Sequence, residues 1–232
     1  MVPLQKKLLL SLAAVLSLVC ALLAVVAIAM PFWIKAMVLC RTGAELVNAT
    51  ASELQDFIGD VQYGLLKGTR GRQCGLGTRP AAFYFFSPLL VHIPAGLHVT
   101  VLVFSSVVVL FSSLSCGFFF YNAFGRPSHV VSGPSGLNLW TIIIGSAAFL
   151  VLVLFSAEVT IGGVTERIAN FGETSFVFQT HSERFERCYW LFLLVLLLQS
   201  VNLLLTRLSG IHFVCHHGNK PPETQTGEEI MY

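Results

Sequence analysis

The densest cluster of metal-binding residue types lies close to the C-terminus of this 232-residue chain. It consists of His212, Cys215, His216 and His217. A structural zinc site needs four ligands around one ion, and two adjacent histidines cannot easily face the same ion. The cluster is therefore interpreted as a solvated segment, and neither a metal site nor a cofactor is predicted from it.

The glycine-rich stretch between residues 64 and 77 does not match a phosphate-binding loop. It contains five glycines but lacks the Gly-Lys-Ser/Thr ending that brings a lysine to the phosphates. These glycines are predicted to form turns. The chain also offers no Ser/His/Asp, Cys/His or paired-carboxylate arrangement suited to nucleophilic or acid–base chemistry, so we expect no enzymatic activity.

The composition of the chain is that of a membrane protein. Hydrophobic residues make up 55% of the sequence and charged residues 11%, whereas soluble domains contain about 25% charged residues. So few charges cannot cover the surface of a soluble domain, and the high hydrophobicity excludes an intrinsically disordered chain. The net charge is +2, without a dense run of lysine and arginine. Nucleic-acid binding is therefore not expected.

Four long stretches without Asp, Glu, Lys or Arg indicate four membrane-spanning helices. A helix needs about 20 apolar residues to cross the hydrocarbon layer, and an open strand would leave its backbone groups unsatisfied there. The predicted spans are residues 8–30, 95–121, 137–157 and 189–208. A cleavable signal peptide is the alternative for the first span, but the apolar run exceeds the roughly 7–15 residues typical of one.

Features of the first loop indicate the orientation of the spans more clearly than the charge distribution does. Lys6 and Lys7 favour a cytosolic N-terminus, although the external loops then carry more basic residues than the cytosolic segments. The single glycosylation sequon, Asn48-Ala49-Thr50, lies in the first loop with two cysteines, which suits the oxidising side. We predict glycosylation at Asn48 and cytosolic termini. The cytosolic segments are then 1–7, 122–136 and 209–232, and the extracellular loops are 31–94 and 158–188.

Of the six cysteines, only Cys40 and Cys74 share a loop. A disulfide between them is the natural prediction, and on the loop-entropy account it would stabilise the loop by roughly 3–4 kcal/mol. The alternatives are two free thiols, or a bond to Cys188 near the outer end of the fourth span. Cys116 and Cys215 lie near the inner face, where palmitoylation remains open.

The first loop is predicted to form a small cap. Thr50 followed by Glu53 is a capping-box pattern, and apolar residues from Leu54 to Val61 keep helical spacing. Glycine turns separate three candidate strands, at residues 36–40, 61–65 and 72–76. The predicted fold class is an all-α membrane protein: a four-helix bundle capped outside by a small β-sheet and a short helix from the first loop.

The predicted spans contain few polar groups and no charge at their centres. Gln199 and Asn202 are three residues apart and share one helix face, which favours hydrogen bonds between helices. Glu158 ends the third span, where its carboxylate is expected to reach water at the membrane surface. Because no charge lies in mid-membrane, we expect neither a proton relay nor an ion path.

The last three residues, Ile230, Met231 and Tyr232, end a polar tail that cannot bury enough surface to fold alone. In an extended strand alternate side chains share one side, so Ile230 and Tyr232 would point together beside the free carboxylate. This arrangement suits a PDZ-type scaffold. An incidental apolar end is an equal alternative.

Segments along nearly the whole chain, from Lys6 to the last residue, resemble the clarin family. They are Pro31-Phe32-Trp33-Ile34-Lys35, Val38-Leu39-Cys40, Leu46-Val47-Asn48-Ala49-Thr50, Gln62-Tyr63-Gly64-Leu65, Arg72-Gln73-Cys74-Gly75-Leu76-Gly77, Phe120-Tyr121-Asn122-Ala123-Phe124-Gly125, Gly133-Pro134, Glu166-Arg167-Ile168-Ala169-Asn170 and Met231-Tyr232. Trp33, Gly64-Leu65 and a loop cysteine resemble the claudin superfamily more distantly. This likeness leads us to expect a claudin-like fold. Leu66 stands where those proteins usually have tryptophan, and for that reason a barrier role is not expected.

The resemblance implies a tetraspan glycoprotein of the plasma membrane in sensory cells, with roles in hearing and vision. It points to hair-cell stereocilia, photoreceptors, synapses and actin-linked organisation. Two function classes stay open. The first is an organiser that holds other membrane proteins in the bilayer, with a PDZ-type scaffold and actin-linked proteins as partners. The second is an auxiliary subunit of an ion-channel or mechanotransduction complex.

Overall fold

Four long helices form the body of the protein. The computed structural model describes residues 4–75, 77–86, 94–124 and 134–217. For residues 134–135 and 210–217 it describes the backbone only. Each long helix contains a stretch that is long and apolar enough to cross a membrane, which makes this a multi-pass membrane protein. The helices are α1 (Leu4–Ala29), α3 (Ala95–Phe124), α4 (Pro134–Thr160) and α6 (Arg187–His217).

The four helices pack as a ring. Helices α1 and α4 each contact both α3 and α6. At one end of the bundle the chain leaves α1 for the sheet, and the backbone N–H of Cys188 at the start of α6 donates to the carbonyl of Phe32, 2.9 Å away. The start of α1 and the end of α6 therefore both lie at the other end. The end that carries the sheet is called the sheet end below.

An antiparallel sheet of five strands covers the sheet end. The strands are β1 (Ile34–Cys40), β2 (Ile58–Tyr63), β3 (Lys67–Gln73), β4 (Thr78–Tyr84) and β5 (Phe178–Phe185), in the spatial order β4-β3-β2-β1-β5. Four strands come from the segment between α1 and α3, so the predicted fold of four membrane helices with a small sheet is confirmed.

The fifth strand was not expected from the sequence. Strand β5 lies between α4 and α6 and pairs with β1 from Ile34 to Cys40, with a register shift at Met37 and Val38. The first loop thus forms the predicted sheet, and β5 from the second loop adds a fifth strand to it. The strand is hard to find in the sequence because most of its residues are polar and exposed, without the alternation of a half-buried strand.

The short helix predicted from the spacing of Leu54, Phe57, Ile58 and Val61 is shorter than that spacing indicates. Thr50 and Glu53 do form the expected contact, with the Thr50 backbone N–H and hydroxyl both 2.9 Å from Glu53 Oε2. However, the helix that follows is a single 3₁₀ turn, Glu53–Phe57, and Ile58 already begins β2. Residues in β2 alternate between buried and less buried positions, so the β-branched Ile58 and Val61 follow the sheet period. Strand β4 lies outside the three strands predicted from the sequence.

Two short helices complete the sheet end. Helix α2 (Arg41–Leu46) follows β1, and helix α5 (Val164–Asn170) packs on one face of the sheet against β1, β2, β3 and β5. The opposite face of the sheet, called the outer face below, stays exposed. Its exposed side chains include Lys35, Met37, Asp60, Lys67, Thr69 and Thr78.

Candidate interaction site: the sheet and its anchors to the bundle

Trp33 is the first anchor between the sheet and the helices. Its indole ring is fully buried, with its centroid 4.7 Å from the ring of Phe155 on α4 and 5.5 Å from that of Phe192 on α6. The indole N–H donates to the carbonyl of Ala27, 2.6 Å away, which satisfies one of the free carbonyls at the end of α1. A single side chain thus joins α1, α4 and α6 directly below β1.

The turn between β2 and β3 sits on the end of α1. A Cβ atom on Gly64 would lie only 2.3 Å from the carbonyl oxygen of Met30, so only glycine permits this approach. The backbone N–H of Trp33 donates to the carbonyl of Tyr63 over 3.0 Å. Glycine is therefore required at position 64, where strand and helix backbones meet.

A buried histidine and glutamate form the second anchor. The imidazole of His98, on α3, makes two polar contacts. Its Nδ1 is 2.8 Å from Oε1 of Glu158 on α4, and its Nε2 is 2.9 Å from the carbonyl oxygen of Leu65. Phe85 stacks on the imidazole at 4.2 Å between ring centroids. The two polar side chains are almost completely buried. The expectation that the Glu158 carboxylate reaches water is therefore wrong.

The contacts of His98 determine where its protons lie. The Leu65 carbonyl only accepts hydrogen bonds, so Nε2 carries a hydrogen. The 2.8 Å contact between Nδ1 and the Glu158 carboxyl needs one more proton between the two atoms. The other oxygen of Glu158, Oε2, has no hydrogen-bond partner among the described residues. The pair thus ties α3, α4 and the β2–β3 turn together through one histidine.

Two arginines on β3 hold α5 in place. Arg70 donates through Nη1 to the carbonyls of Ile168 and Phe171, at 2.7 and 2.8 Å. Arg72 donates to the carbonyl of Ala169 at 3.0 Å, and its Nη1 lies 3.0 Å from the carboxylate of Glu173. These carbonyls belong to the end of α5, where helices leave acceptors unpaired and favour positive charge. Burial, together with the positive charge of Arg72, lowers the pKa of Arg70.

A disulfide closes the end of the sheet that points away from the four membrane helices. Cys40, at the end of β1, is bonded to Cys74, which follows β3. Cys188 is a free buried cysteine at the start of α6, so the alternative pairing with Cys188 is wrong. Cys116 is also free, whereas the side chain of Cys215 lies outside the described residues, as do those of the neighbouring histidines.

Asn48 lies exposed at the same far end, just after α2. Its backbone φ is 47°, a left-handed conformation that asparagine tolerates better than most residues. The nearby Glu53 carboxylate accepts hydrogen bonds from the backbone and hydroxyl of Thr50, which lower its pKa. The predicted glycosylation site is therefore accessible on a locally ordered turn.

The two amides predicted to share a face of α6 connect three helices. The side-chain amide of Asn202 donates to the hydroxyl of Ser17 on α1 over 2.9 Å, and that of Gln199 donates to Ser112 on α3 over 3.4 Å. Both amides are buried inside the bundle. Their oxygens lack a donor among the described residues. The predicted hydrogen bonding between helices is confirmed.

Most of the anchors between the sheet and the bundle leave no recognisable pattern in the sequence. His98 received no role because a lone histidine near the end of an apolar stretch gives no pattern by itself. The usable signal was the pair: one histidine and one glutamate, each at the same end of a different predicted span. The predicted C-terminal site, Ile230, Met231 and Tyr232, lies outside the described residues.

Comparison with known proteins gives a consistent assignment. A family described as Clarin-2-like matches residues 5–206. Human clarin-1 is 43% identical over 228 residues, which cover 98% of this chain and 98% of the relative. Mouse clarin-2 is 38% identical over 227 residues, again 98% of each chain. Human clarin-3 is 29% identical over 145 residues, which cover 61% of this chain.

These matches extend through all the elements described above. They include the four membrane helices, the sheet and the segment around Cys40 and Cys74. Because the family match covers most of the chain, and the alignments with clarin-1 and clarin-2 cover nearly all of it, the chain belongs to the clarin family of tetraspan membrane proteins.

Proposed function

We propose that this protein organises other membrane proteins in a sensory-cell membrane domain. The observation that supports this proposal is that the sheet is attached rigidly to the membrane helices. Trp33 and the His98–Glu158 pair fix the sheet to all four membrane helices, while its outer face is exposed. A rigid, exposed face on a membrane bundle is suited to bind a partner protein in a fixed orientation.

We place the sheet outside the cell and both termini in the cytosol. Two features at the far end of the sheet support this orientation: the exposed sequon at Asn48 and the disulfide between Cys40 and Cys74. Disulfides and N-linked glycans both form on the oxidising side of the membrane. With this orientation the cytosolic tail that ends in Ile230, Met231 and Tyr232 can reach a PDZ-type scaffold linked to actin.

Family membership supports the tissue assignment. As a clarin, the protein is proposed to act in the plasma membrane of hair cells and photoreceptors, in stereocilia and at synapses. There the lipid bilayer, other membrane proteins and the actin-linked scaffold are its partners.

An auxiliary role in an ion-channel or mechanotransduction complex is the second candidate. The exposed face of α6 favours it. Large apolar side chains follow one another on that face at alternating three- and four-residue spacing, in the order Trp190, Leu194, Leu197, Val201, Leu204 and Leu208. Such a stripe fits against a helix of a larger membrane protein as well as against lipid.

The orientation is tested by glycosylation. Asn48→Gln is expected to abolish a glycosidase-sensitive mass shift, whereas Thr50→Ser preserves the sequon and the contact to Glu53 and should keep the shift. A wild-type protein that glycosidase does not change would contradict an extracellular first loop.

The choice between the two functions is tested by proximity labelling in sensory cells with two matched variants. Met37→Glu alters the outer face of the sheet, and Leu197→Ala with Leu204→Ala alters the exposed face of α6. The organiser role predicts that Met37→Glu removes labelled adhesion and scaffold proteins while the α6 variant keeps them. Loss of a stoichiometric channel from the α6 variant alone would favour the auxiliary role instead.

A further inference from the structure

A cavity opens where the sheet extends beyond the helix that covers it. Helix α5 lies across β1, β2, β3 and β5, and next to it β3, β4 and residues of the segment 173–178 enclose about 210 Å³. Its charged lining residues are Arg70, Arg72, Arg79 and Glu173. Pro80, Ala81, Phe176 and Phe178 supply apolar walls.

The charges that line this cavity do not balance. Three guanidinium groups face one carboxylate, and that carboxylate already pairs with Arg72. Arg72 also donates through Nε and Nη2 to the carbonyls of Ala169 and Phe171. The surplus positive charge therefore belongs to Arg70 and Arg79.

Arg70 and Arg79 both have unused hydrogen-bonding capacity. The Nε of Arg70 is buried and has no acceptor among the described residues, although a buried donor normally has a partner. The side chain of Arg79 forms no hydrogen bond or ion pair within the described part of the chain. In the register of β3 and β4, Arg79 lies opposite Arg72, and Ala81 lies opposite Arg70. Because alternate residues of a strand share a face, both arginines are on the face of the sheet that borders the cavity.

We propose that this cavity binds a carboxylate side chain presented by a partner protein, with Arg79 and the Nε–H of Arg70 as donors. Guanidinium groups bind carboxylates through strong charge-assisted hydrogen bonds. The walls formed by Phe176, Phe178 and Ala81 match the short aliphatic stem of glutamate. The proposal rests on the proposed function in one respect, which is that the organiser's protein partner supplies the carboxylate.

The edge of the sheet favours insertion of a side chain over addition of a strand. Strand β4 is the outermost strand, but Pro80 in its middle has no backbone N–H to offer to an added strand. Proline and arginine on an edge strand oppose pairing with another chain. A partner is therefore expected to reach across β4 with one acidic side chain.

The test uses the full chain in lipid nanodiscs with ¹⁵N-labelled arginine. A capped tetrapeptide with one glutamate is titrated, and the same peptide with glutamine is the control. The glutamate peptide is expected to shift the Nε–Hε signals of Arg70 and Arg79, and the glutamine peptide is not. Arg79→Gln should weaken binding about tenfold, as expected for loss of a hydrogen bond to a charged group.

Lys67→Gln provides the matched control, since it removes one positive charge from the outer face of β3 and should leave binding unchanged. Equal shifts from both peptides, or no shift of Arg70, would overturn the proposal. Tighter binding of N-acetylneuraminic acid or of sulfate than of the peptide would also overturn it, since the site would then take a glycan or a free anion. The titration needs no cellular partner, so its failure would leave the organiser role standing.

Discussion

The helical bundle and the sheet are held together by different kinds of interaction. Inside the bundle, small residues such as Ala24 and Ala148 allow close packing, and neutral hydrogen bonds such as that from Asn202 to Ser17 link the helices. The sheet depends on a few strong and directional contacts instead: a disulfide, two arginine clamps and a buried histidine–glutamate pair.

This difference follows from the two environments. In lipid, helices gain little from the hydrophobic effect and associate through close packing and modest hydrogen bonds. The sheet is small and largely exposed to water, so its core alone supplies little stability and covalent or charged links are needed. Single substitutions should therefore damage the sheet and its anchors more than the interior of the bundle.

The largest effect is expected where the sheet meets the bundle. Glu158→Ala leaves His98 buried without its partner, which should lower the free energy of unfolding by roughly 3–5 kcal/mol. Thermal unfolding of the full chain in nanodiscs measures the change. Glu45→Ala is the control, because Glu45 pairs with Arg41 in an exposed ion pair and its loss should leave the unfolding midpoint unchanged. A small change in Glu158→Ala would show that the pair does not anchor the sheet.

Loss of the disulfide should come next. Cys74→Ser opens the ring that joins β1 to the segment after β3, and removal of a native disulfide costs about 2–5 kcal/mol. The protein is expected to be retained in the endoplasmic reticulum, which surface biotinylation measures. Cys116→Ser removes a free cysteine and should reach the surface normally. Normal delivery of Cys74→Ser would contradict a structural role for this bond.

An intermediate effect is expected for the clamp on α5. Arg72→Ala removes its hydrogen bonds to the end of this helix and its ion pair with Glu173, at a cost of about 2 kcal/mol. Hydrogen exchange should quicken in residues Val164–Asn170 while α3 and α4 stay protected. Arg184→Ala on the exposed part of β5 is the matched control. Equally faster hydrogen exchange in α5 and in the bundle would mean that Arg72 stabilises the whole fold and not α5 in particular.

The smallest effect is expected inside the membrane. Asn202→Leu removes the hydrogen bond to Ser17, and such bonds between membrane helices contribute about 0.6 kcal/mol on average. The unfolding midpoint should therefore move much less than in Glu158→Ala. A loss of stability as large as that of Glu158→Ala would remove the contrast between bundle and sheet.

Sequence patterns predict those features of the fold that depend on residues close together in the chain. The length of each apolar stretch predicts the four helices, and two cysteines in one loop predict the bond between Cys40 and Cys74. The contact between Thr50 and Glu53 also follows from spacing alone. In each case the deciding residues are close in sequence or have no other partner available.

The missing elements depend on partners that are far apart in sequence. Glu158 is buried because His98, 60 residues earlier, is positioned to meet it. Strand β5 exists because β1 offers an open edge, since its own residues lack a strand pattern. Arg70 and Arg72 look like exposed strand residues until α5 brings its carbonyls above them. Tertiary contacts determine these features, and propensity and periodicity do not report them.

The pairing of β1 with β5 also sets an order of events while the chain is being synthesised. Strands β1 to β4 and both bonded cysteines lie in one continuous segment, so they can assemble before the third membrane helix is made. Until β5 emerges, however, β1 is an edge strand with unpaired backbone groups, and such edges pair readily with other chains. A product truncated before Phe178 would carry an intact disulfide and still expose this edge. Completion of the sheet therefore reports that the chain has been synthesised past the third membrane helix, with only α6 and the tail to follow.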